Sequence, residues 1–442
     1  MVTRRDFLDT LAVGAAGMAV ASSAKSYGQI LGSNDRLNFA IMGLRWRGYA
    51  HMSALLANKD TARISHICDV DDNIRAKFAG IVAQEAGYAP ASDKDFRNVL
   101  QQKDVDAVTI ATPDHWHTPL AIAALEAGKH VYVEKPCSHN PAEGAMLVKA
   151  QQKYRKQVQQ GTQQRSCVRT MEAIDKIHNG IIDRPYFARA WYANTRKSIG
   201  IGKPVPVPPQ LDWDLWQGPA PRRPYMDNIH PYNWHWFKHW GTGEALNNGT
   251  HSIDLCRWAL QVDFPSRVTA LGGRYQFKDD QQFYDTLDAS FEYGDKLITW
   301  EGRSCNGMKY FGHDSGLIVM GTTGSVFIHG DGGSGYETYD LKGNKTGEFV
   351  DGDSAKFYDK YDGDIPTNLH FANFIAAITK GEKLHAPISQ GNIVVTTLQL
   401  ANIAWEVNRA LQTDPQDGKI KDDPQAMKLW PREYEKGWAP HL

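Results

Sequence analysis

The chain has 442 residues, more than one hydrophobic core usually holds, so two domains are expected. Apolar residues make up 42% and charged residues 22%, the balance of a globular chain rather than a disordered one. A formal net charge of −1 gives no support for a nucleic-acid partner or an anionic membrane surface. Five scattered cysteines with no C-x-x-C pair argue against a disulfide framework or a zinc knuckle.

Residues 1–24 read as an export leader rather than as part of the fold. Arg4 and Arg5 precede Phe7-Leu8, a mild apolar run follows, and Ser22-Ser23-Ala24 offers small residues for cleavage. The run is too short to span a bilayer, so no membrane span is expected once it is removed. The paired arginines resemble the twin-arginine type of signal. The expectation is cleavage near Ala24, an exposed arm over 25–34, and a periplasmic protein exported already folded.

Leu37–Met42 reads as a buried strand, and 49–58 as a helix after the turn Gly43-Leu44-Arg45-Trp46-Arg47-Gly48. A second strand over 63–68 ends at Asp69, and 71–87 and 93–102 read as helices. The apolar runs 107–111 and His130–Val133 are expected as buried parallel strands, joined by a helix over 119–128. A helix over 141–155 and a last strand over 157–161 follow. This alternation predicts a doubly wound α/β domain over 35–160. A further helix is expected over 171–179.

The texture changes after residue 182. Strand candidates fall at 186–194, 268–277, Thr286–Tyr293, 296–302, 316–320 and 325–329. Strands with few helices predict an α+β second domain over 161–412, built on an open, mostly antiparallel sheet. The stretch 331–364, rich in Gly, Asp and Lys, reads as a long loop or as a hairpin. Helices over 369–380 and 391–412 would cover that sheet. A polar tail over 413–442 would be pinned to the body by Trp430 and Trp438.

Chemistry concentrates where strands end. Gly43-x-Arg45-x-x-Gly48 follows a strand and opens a helix, so the first and third positions of a dinucleotide fingerprint are present. Arg45 takes the second position, where it either crowds a diphosphate or pairs with a phosphate oxygen. Asp69 ends the second strand, near the place of an acid for ribose hydroxyls. An acid there repels a 2′-phosphate, which favours NAD over NADP. Ala111-Thr112-Pro113-Asp114-His115-Trp116-His117 and Val133-Glu134-Lys135-Pro136 end two further strands, where a parallel sheet holds its ligands. The Lys135–Pro136 bond suits a cis peptide. Cys137 follows directly and reads as a buried small hydrophobe near the site.

With these motifs in place, the chain resembles the Gfo/Idh/MocA family, named for glucose–fructose oxidoreductase and inositol dehydrogenase. Residues 127–136, Ala-Gly-Lys-His-Val-Tyr-Val-Glu-Lys-Pro, are similar to the family's A-G-K-H-V-x-x-E-K-P. Residues 111–117 are similar to its T-P-N-x-x-H segment, and 241–254 to its G-G-G-x-L-x-D-x-G-x-H-x-x-D segment. The resemblance implies an N-terminal Rossmann domain and a C-terminal open sheet that often joins subunits into a homo-oligomer. It also implies hydride transfer between a nicotinamide and a sugar or cyclitol carbon. Thr112, Pro113, His117 and Glu134 would then contact cofactor, with Gly43, Arg45, Gly48, Asp69 and Lys135.

The family's lysine polarises or deprotonates the reacting hydroxyl, a role that falls here to Lys135. His251 would be the general acid or base. Asn247 stands where the family has Asp; it can orient a hydroxyl but cannot relay a proton. At i, i+4 spacing Asn247 and His251 would share one helix face.

The run from Trp213 to Trp240 is dense in aromatics and would roof the site. Trp234, Trp236 and His235 are candidate substrate contacts, since flat rings suit a pyranose face. Gln163 and Arg165, just past the last strand of the first domain, are candidates to line the cleft. No carboxylate or cysteine completes a metal set with His230, His235 and His239, so no metal is expected. Three functions are compatible with these residues: an NAD-dependent sugar or glycoside oxidoreductase, a glycosidase using transient oxidation of its sugar, and a non-catalytic sugar binder with a degenerate cofactor loop.

Overall fold

A computed structural model describes residues 36–330, 335–350, 359–361 and 363–442. The expected leader over 1–24 and the arm over 25–34 lie outside the described residues. Two sheets carry the described residues. The first has six parallel strands in the order β3-β2-β1-β4-β5-β6: Leu37–Met42 (β1), Ala62–Cys68 (β2), Ala91–Asp93 (β3), Ala107–Ile110 (β4), His130–Val133 (β5) and Val158–Gln160 (β6). β1, β4 and β5 are almost wholly buried, as strands covered on both faces by helices must be. The order reverses between β1 and β4, so a crevice opens beyond their carboxyl ends. β3 went unread because its three residues carry no apolar run.

Between the strands run helices α1 (Arg47–Ala57), α2 (Asp72–Ala86), α3 (Phe96–Leu100), α4 (Asp114–Glu126) and α5 (Pro141–Tyr154). α4 begins at Asp114 rather than at 119, so Pro119 lies inside it. Proline lacks the N–H that would meet the carbonyl four residues back, which is that of His115. That carbonyl is satisfied from far along the chain: the Arg432 guanidinium donates to it at 2.7 Å.

A short 3-10 turn, Gln163–Ser166, and helix α6 (Val168–His178) lead into the second sheet. Its ten strands are β7 (Pro185–Ala193), β8 (Arg267–Gly273), β9 (Thr286–Tyr293), β10 (Lys296–Arg303), β11 (Ser315–Gly321), β12 (Gly324–His329), β13 (Gly335–Asp340), β14 (Lys345–Val350), β15 (Leu411–Thr413) and β16 (Ile420–Lys421). They run in the order β14-β13-β12-β11-β7-β10-β9-β8-β15-β16, antiparallel except for the β7–β10 pair. The Gly- and Asp-rich stretch is therefore a hairpin, β13–β14, where its residues are described. The tail boundary expected at 413 falls inside this sheet, because β15 and β16 close its edge.

Helix α7 (Trp213–Gln217) starts an aromatic segment, and α8 (Thr250–Leu260) follows a π turn at Ala245–Gly249 and packs on β7, β10 and β11. The two C-terminal helices do not both cover this sheet. α9 (Ile365–Thr379) packs instead on the first domain, with Phe371 stacked on Tyr132 at 4.3 Å between ring centroids and Phe374 beside Phe39. α10 (Ile388–Val407) bridges α5 of the first domain to α8 and β8 of the second. Trp430 and Trp438 pack on the core, the latter edge-on to Trp116.

Candidate active site

The crevice at the ends of β1, β4 and β5 opens into one cleft with about 1340 Å³ of empty space, open solvent included. Gly43, Arg45, Asp69, Thr112, Pro113, His117, Glu134, Lys135, Trp234, His235 and Asn247 all border it. Gly43 has φ +86°, and a Cβ there would lie 2.6 Å from the Ala111 carbonyl oxygen. A Cβ on Gly48 would lie 2.3 Å from the Gly43 carbonyl. Both glycines are thus demanded by close backbone approach, which brings the first turn of α1 to the cleft.

Arg45 borders the cleft and is held by an acidic partner. Its guanidinium is paired with Asp71 at 2.7 Å, and Asp71 also caps α2. Asp69 accepts the Leu44 N–H at 2.9 Å and the Asp71 N–H at 3.0 Å, which ties the end of β2 to the glycine turn. Burial pushes its carboxyl above the usual range, against those two hydrogen bonds. Trp46, with φ +22°, reaches across the cleft and meets Tyr232 edge-to-face at 5.3 Å.

The chemical end of the cleft lies where β5 stops. The Lys135–Pro136 bond is cis. Lys135 Nζ donates to the Asn247 backbone carbonyl and to Asn247 Oδ1 at 3.3 Å. Burial pushes the amine below its ordinary value, opposed by Glu134 and Asp114. Glu134 accepts from Arg47 at 2.7 Å and pairs with His51 at 2.9 Å. Burial works against its charge, yet Arg47, His51 and Lys135 together hold it well below the usual carboxylate range. Asp114 accepts the Thr242 hydroxyl at 2.5 Å. The His117 ring sits between the carbonyls of Pro136 (2.6 Å) and Thr112 (2.8 Å), so it fastens the ends of β4 and β5 together rather than facing a ligand freely.

His251 is drawn to the same place from the other lobe, behind the cleft surface. Burial and the charge of Lys135 push its imidazole down to about 3, so it is neutral near pH 7. The shared helix face expected for Asn247 and His251 is altered by the π turn, which ends just before α8 begins. His235 lies flat on Trp234 at 3.6 Å between ring centroids, and burial pushes it down to about 3.

Three expected contacts are placed elsewhere. Arg165 is buried in a two-bond pair with Asp254, at 2.6 and 2.8 Å, with its guanidinium over Trp258. It anchors α8 rather than lining the cleft. Gln163 lies on the same 3-10 turn, away from the lining. Trp236 is buried beneath the Arg196 guanidinium, 4.9 Å from its ring centroid. Cys137 is fully buried, and burial pushes its thiol up to about 12. Sequence reasoning passed over Arg47, His51, Asp114, Trp46 and Glu244. Arg47, Asp114 and Glu244 are charged residues inside the quoted motifs, and that was the available signal.

The glycine turn at the start of α1 and the acid ending β2 fit a dinucleotide, with its diphosphate at the turn and a ribose toward Asp69. Two family profiles match the chain: the oxidoreductase family with NAD-binding Rossmann fold over 37–162, and the GFO/IDH/MocA C-terminal domain over 214–327. Together they cover more than half of it. A curated relative, a glycosyl hydrolase family 109 protein of Saccharopolyspora erythraea, is 28% identical over 220 residues, 46% of this chain and 48% of that protein. The match thus spans about half the length of that relative. Among solved structures, the WlbA dehydrogenase of Bordetella pertussis, with NADH and UDP-GlcNAcA, superposes with a TM-score of 0.63 at 17% identity, covering 86% of this chain and 99% of that one. Levoglucosan dehydrogenase, with NADH and levoglucosan, superposes at 0.64 and 18% identity, covering 85% and 99%. These two likenesses are of fold. The paired profiles and the glycine turn make the chain a member of the Gfo/Idh/MocA family of oxidoreductases, with an NAD-binding Rossmann domain.

Proposed function

We propose that the chain transfers hydride between NAD and a hydroxyl-bearing carbon of a sugar or glycoside, with Lys135 exchanging the hydroxyl proton. The observation that carries this reading is the half-buried Lys135 amine on the cleft wall, at the end of β5 beside the Thr112-Pro113 turn. NAD, when bound, supplies the hydride acceptor or donor. Lys135, lowered by burial, can take a proton from a substrate hydroxyl or hold the alkoxide as an ammonium. Asn247 fixes the amine by its two oxygens, and Glu134 anchors the strand end through Arg47 and His51. Burial and the charge of Lys135 keep the imidazole of His251 neutral, the form that can accept a proton as a general base. The Trp234–His235 pair and Tyr232 offer flat faces to a sugar ring. Levoglucosan dehydrogenase, similar in fold, carries a sugar in such a complex. Stopped-flow absorbance at the nicotinamide band with a panel of sugars tests the reading. A cofactor-loaded protein that shows no spectral change with any sugar would falsify it.

A glycosidase is the second reading, favoured by the family 109 name of the relative from Saccharopolyspora. Here a ring carbon is oxidised, the aglycone is eliminated, water adds, and the carbon is reduced again, so the cofactor ends as it began. Release of nitrophenol from nitrophenyl glycosides without net NADH selects this reading over a dehydrogenase.

The twin arginines, Arg4 and Arg5, support export of the folded protein to the periplasm. Fractionation of cells expressing wild type and the Arg4→Lys/Arg5→Lys variant reads this directly; equal periplasmic amounts would refute it. The ten-stranded sheet supports a homo-oligomer joined through its open face, and analytical ultracentrifugation showing a monomer would refute that. Among the described residues no helix is long and apolar enough to cross a membrane.

A further inference from the structure

We propose that Glu244 is a positioning residue for this site: it holds the Asn247 amide in the one orientation that presents its carbonyl oxygen to Lys135, and acts on the amine through that amide. The proposal rests on the reading of Lys135 as the proton-exchanging group. Glu244 is 1% exposed, and a bare carboxylate at that depth would be very costly. Its Oε2 accepts from Arg196 Nε at 2.7 Å and from the Ser304 hydroxyl at 3.0 Å. Its Oε1 accepts from Asn247 Nδ2 at 3.3 Å and from Asn248 Nδ2. Arg196 also donates to the Tyr232 hydroxyl at 3.1 Å, and Tyr232 borders the cleft opposite Trp46.

Asn247 therefore stands between two groups of opposite hydrogen-bonding character. A carboxylate only accepts and an ammonium only donates, so the amide has one satisfying orientation: NH2 toward Glu244, oxygen toward Lys135. The π turn at Ala245–Gly249 contributes by turning the Asn247 backbone carbonyl to the same amine. A carboxylate at 247 could still accept from Lys135 but would offer Glu244 no donor and would repel it. The Asn at this position, the chain's departure from the family pattern, gives the buried Glu244 a donor that a carboxylate would not.

The charges facing Lys135 come from both lobes. Glu134, Asp114 and Arg47 face it from the Rossmann side, and Glu244, His251 and His235 from the other. Glu134 is already matched by Arg47 and His51. Asp114 is pushed up by burial, against Thr242, Lys135 and His117. Glu244 is the carboxylate that reaches the amine through an intervening amide.

The test compares wild type with Glu244→Gln, Asn247→Leu and the double variant. Lys135 is titrated by competitive labelling with acetic anhydride, read by mass spectrometry, alongside the pH profile of turnover. Glu244 favours the ammonium, so Glu244→Gln moves the Lys135 transition to lower pH by about one unit. That is roughly a tenfold rise in labelling at fixed pH below the transition. The rising limb of kcat follows it, with KM little changed. Asn247→Leu shifts the transition in the same direction, and the double variant shifts it by less than the sum. An unmoved transition in Glu244→Gln, or strictly additive shifts, overturns the proposal. Should Glu244→Gln fail to fold with Arg196 unpaired, Asn247→Leu strands no charge, and an unmoved transition in it is equally decisive. Labelling needs no turnover, so an enzyme inactive on every sugar would count against the proposed function and leave this test standing.

Discussion

Replacing Gly43 by Ala isolates the geometry on which the cofactor site depends. The residue has φ +86°, and a Cβ would come within 2.6 Å of the Ala111 oxygen and 2.8 Å of the Thr112 nitrogen. Both are backbone atoms of the neighbouring strand end, so neither can swing aside. Left-handed backbone costs an L-residue about 1–3 kcal/mol, and overpacking adds about 1–3 kcal/mol. The sum, about 2–6 kcal/mol, corresponds to a drop in Tm of about 2–6 °C for a protein of this size. The relaxing motion parts β1 from β4, which opens the mouth where a diphosphate would rest. NADH affinity, read by fluorescence titration, should fall at least about tenfold, which is about 1.4 kcal/mol of the same strain. Gly87→Ala is the control: φ is +77° there, but a Cβ would meet nothing within 4 Å. It should lose only the backbone term and bind NADH as wild type does. Wild-type NADH affinity in Gly43→Ala, or an equal loss of affinity in Gly87→Ala, would refute the reasoning.

Lys135→Met should abolish turnover while leaving NADH binding within a few-fold of wild type, measured by the same titration. Because burial lowers the Lys135 amine, wild-type kcat/KM should rise with pH through a transition below the ordinary lysine value of about 10.4. Arg165→Met should destabilise by about 3–5 kcal/mol in urea unfolding, since Asp254 would be left buried and unpaired, without selectively raising the sugar KM. Arg432→Met should cost a similar amount, because it strands buried Glu143 and reopens the carbonyl that Pro119 leaves unmet. Stability should also fall on acidification. His235, His251 and His370 are held near 3 in the fold, against about 6.5 when unfolded. The unfolded chain thus binds protons that the folded one does not. Stability present above pH 6.5 is lost as pH falls toward 3, by at most about 1.4 kcal/mol per pH unit for each ring. Urea midpoints that hold constant from pH 7 to 4.5 would contradict this.

Much of the site was legible because its parts are local. A glycine turn between an apolar run and a helix, an acid at the next strand end, and Glu134-Lys135-Pro136 each announce themselves within a few residues. Apolar runs also located most strands, because a strand buried on both faces has no other way to be written. The non-local parts were not legible. Arg45 looked free for a phosphate until Asp71 was seen beside it, and Arg165 looked like a cleft residue until it met Asp254.

The amino-acid sequence alone determined the order of the longer buried strands and helices, the place of the glycine turn, and which lysine stands at a strand end, since these follow from periodicity and backbone sterics over short spans. Tertiary structure alone decided which sheet α9 covers, which carboxylate holds Asn247, and that a guanidinium 317 residues away meets the carbonyl of His115. An apolar face shows that it must be buried without naming its cover. A charge shows that it needs a partner, and only the folded chain sets the distance that selects one.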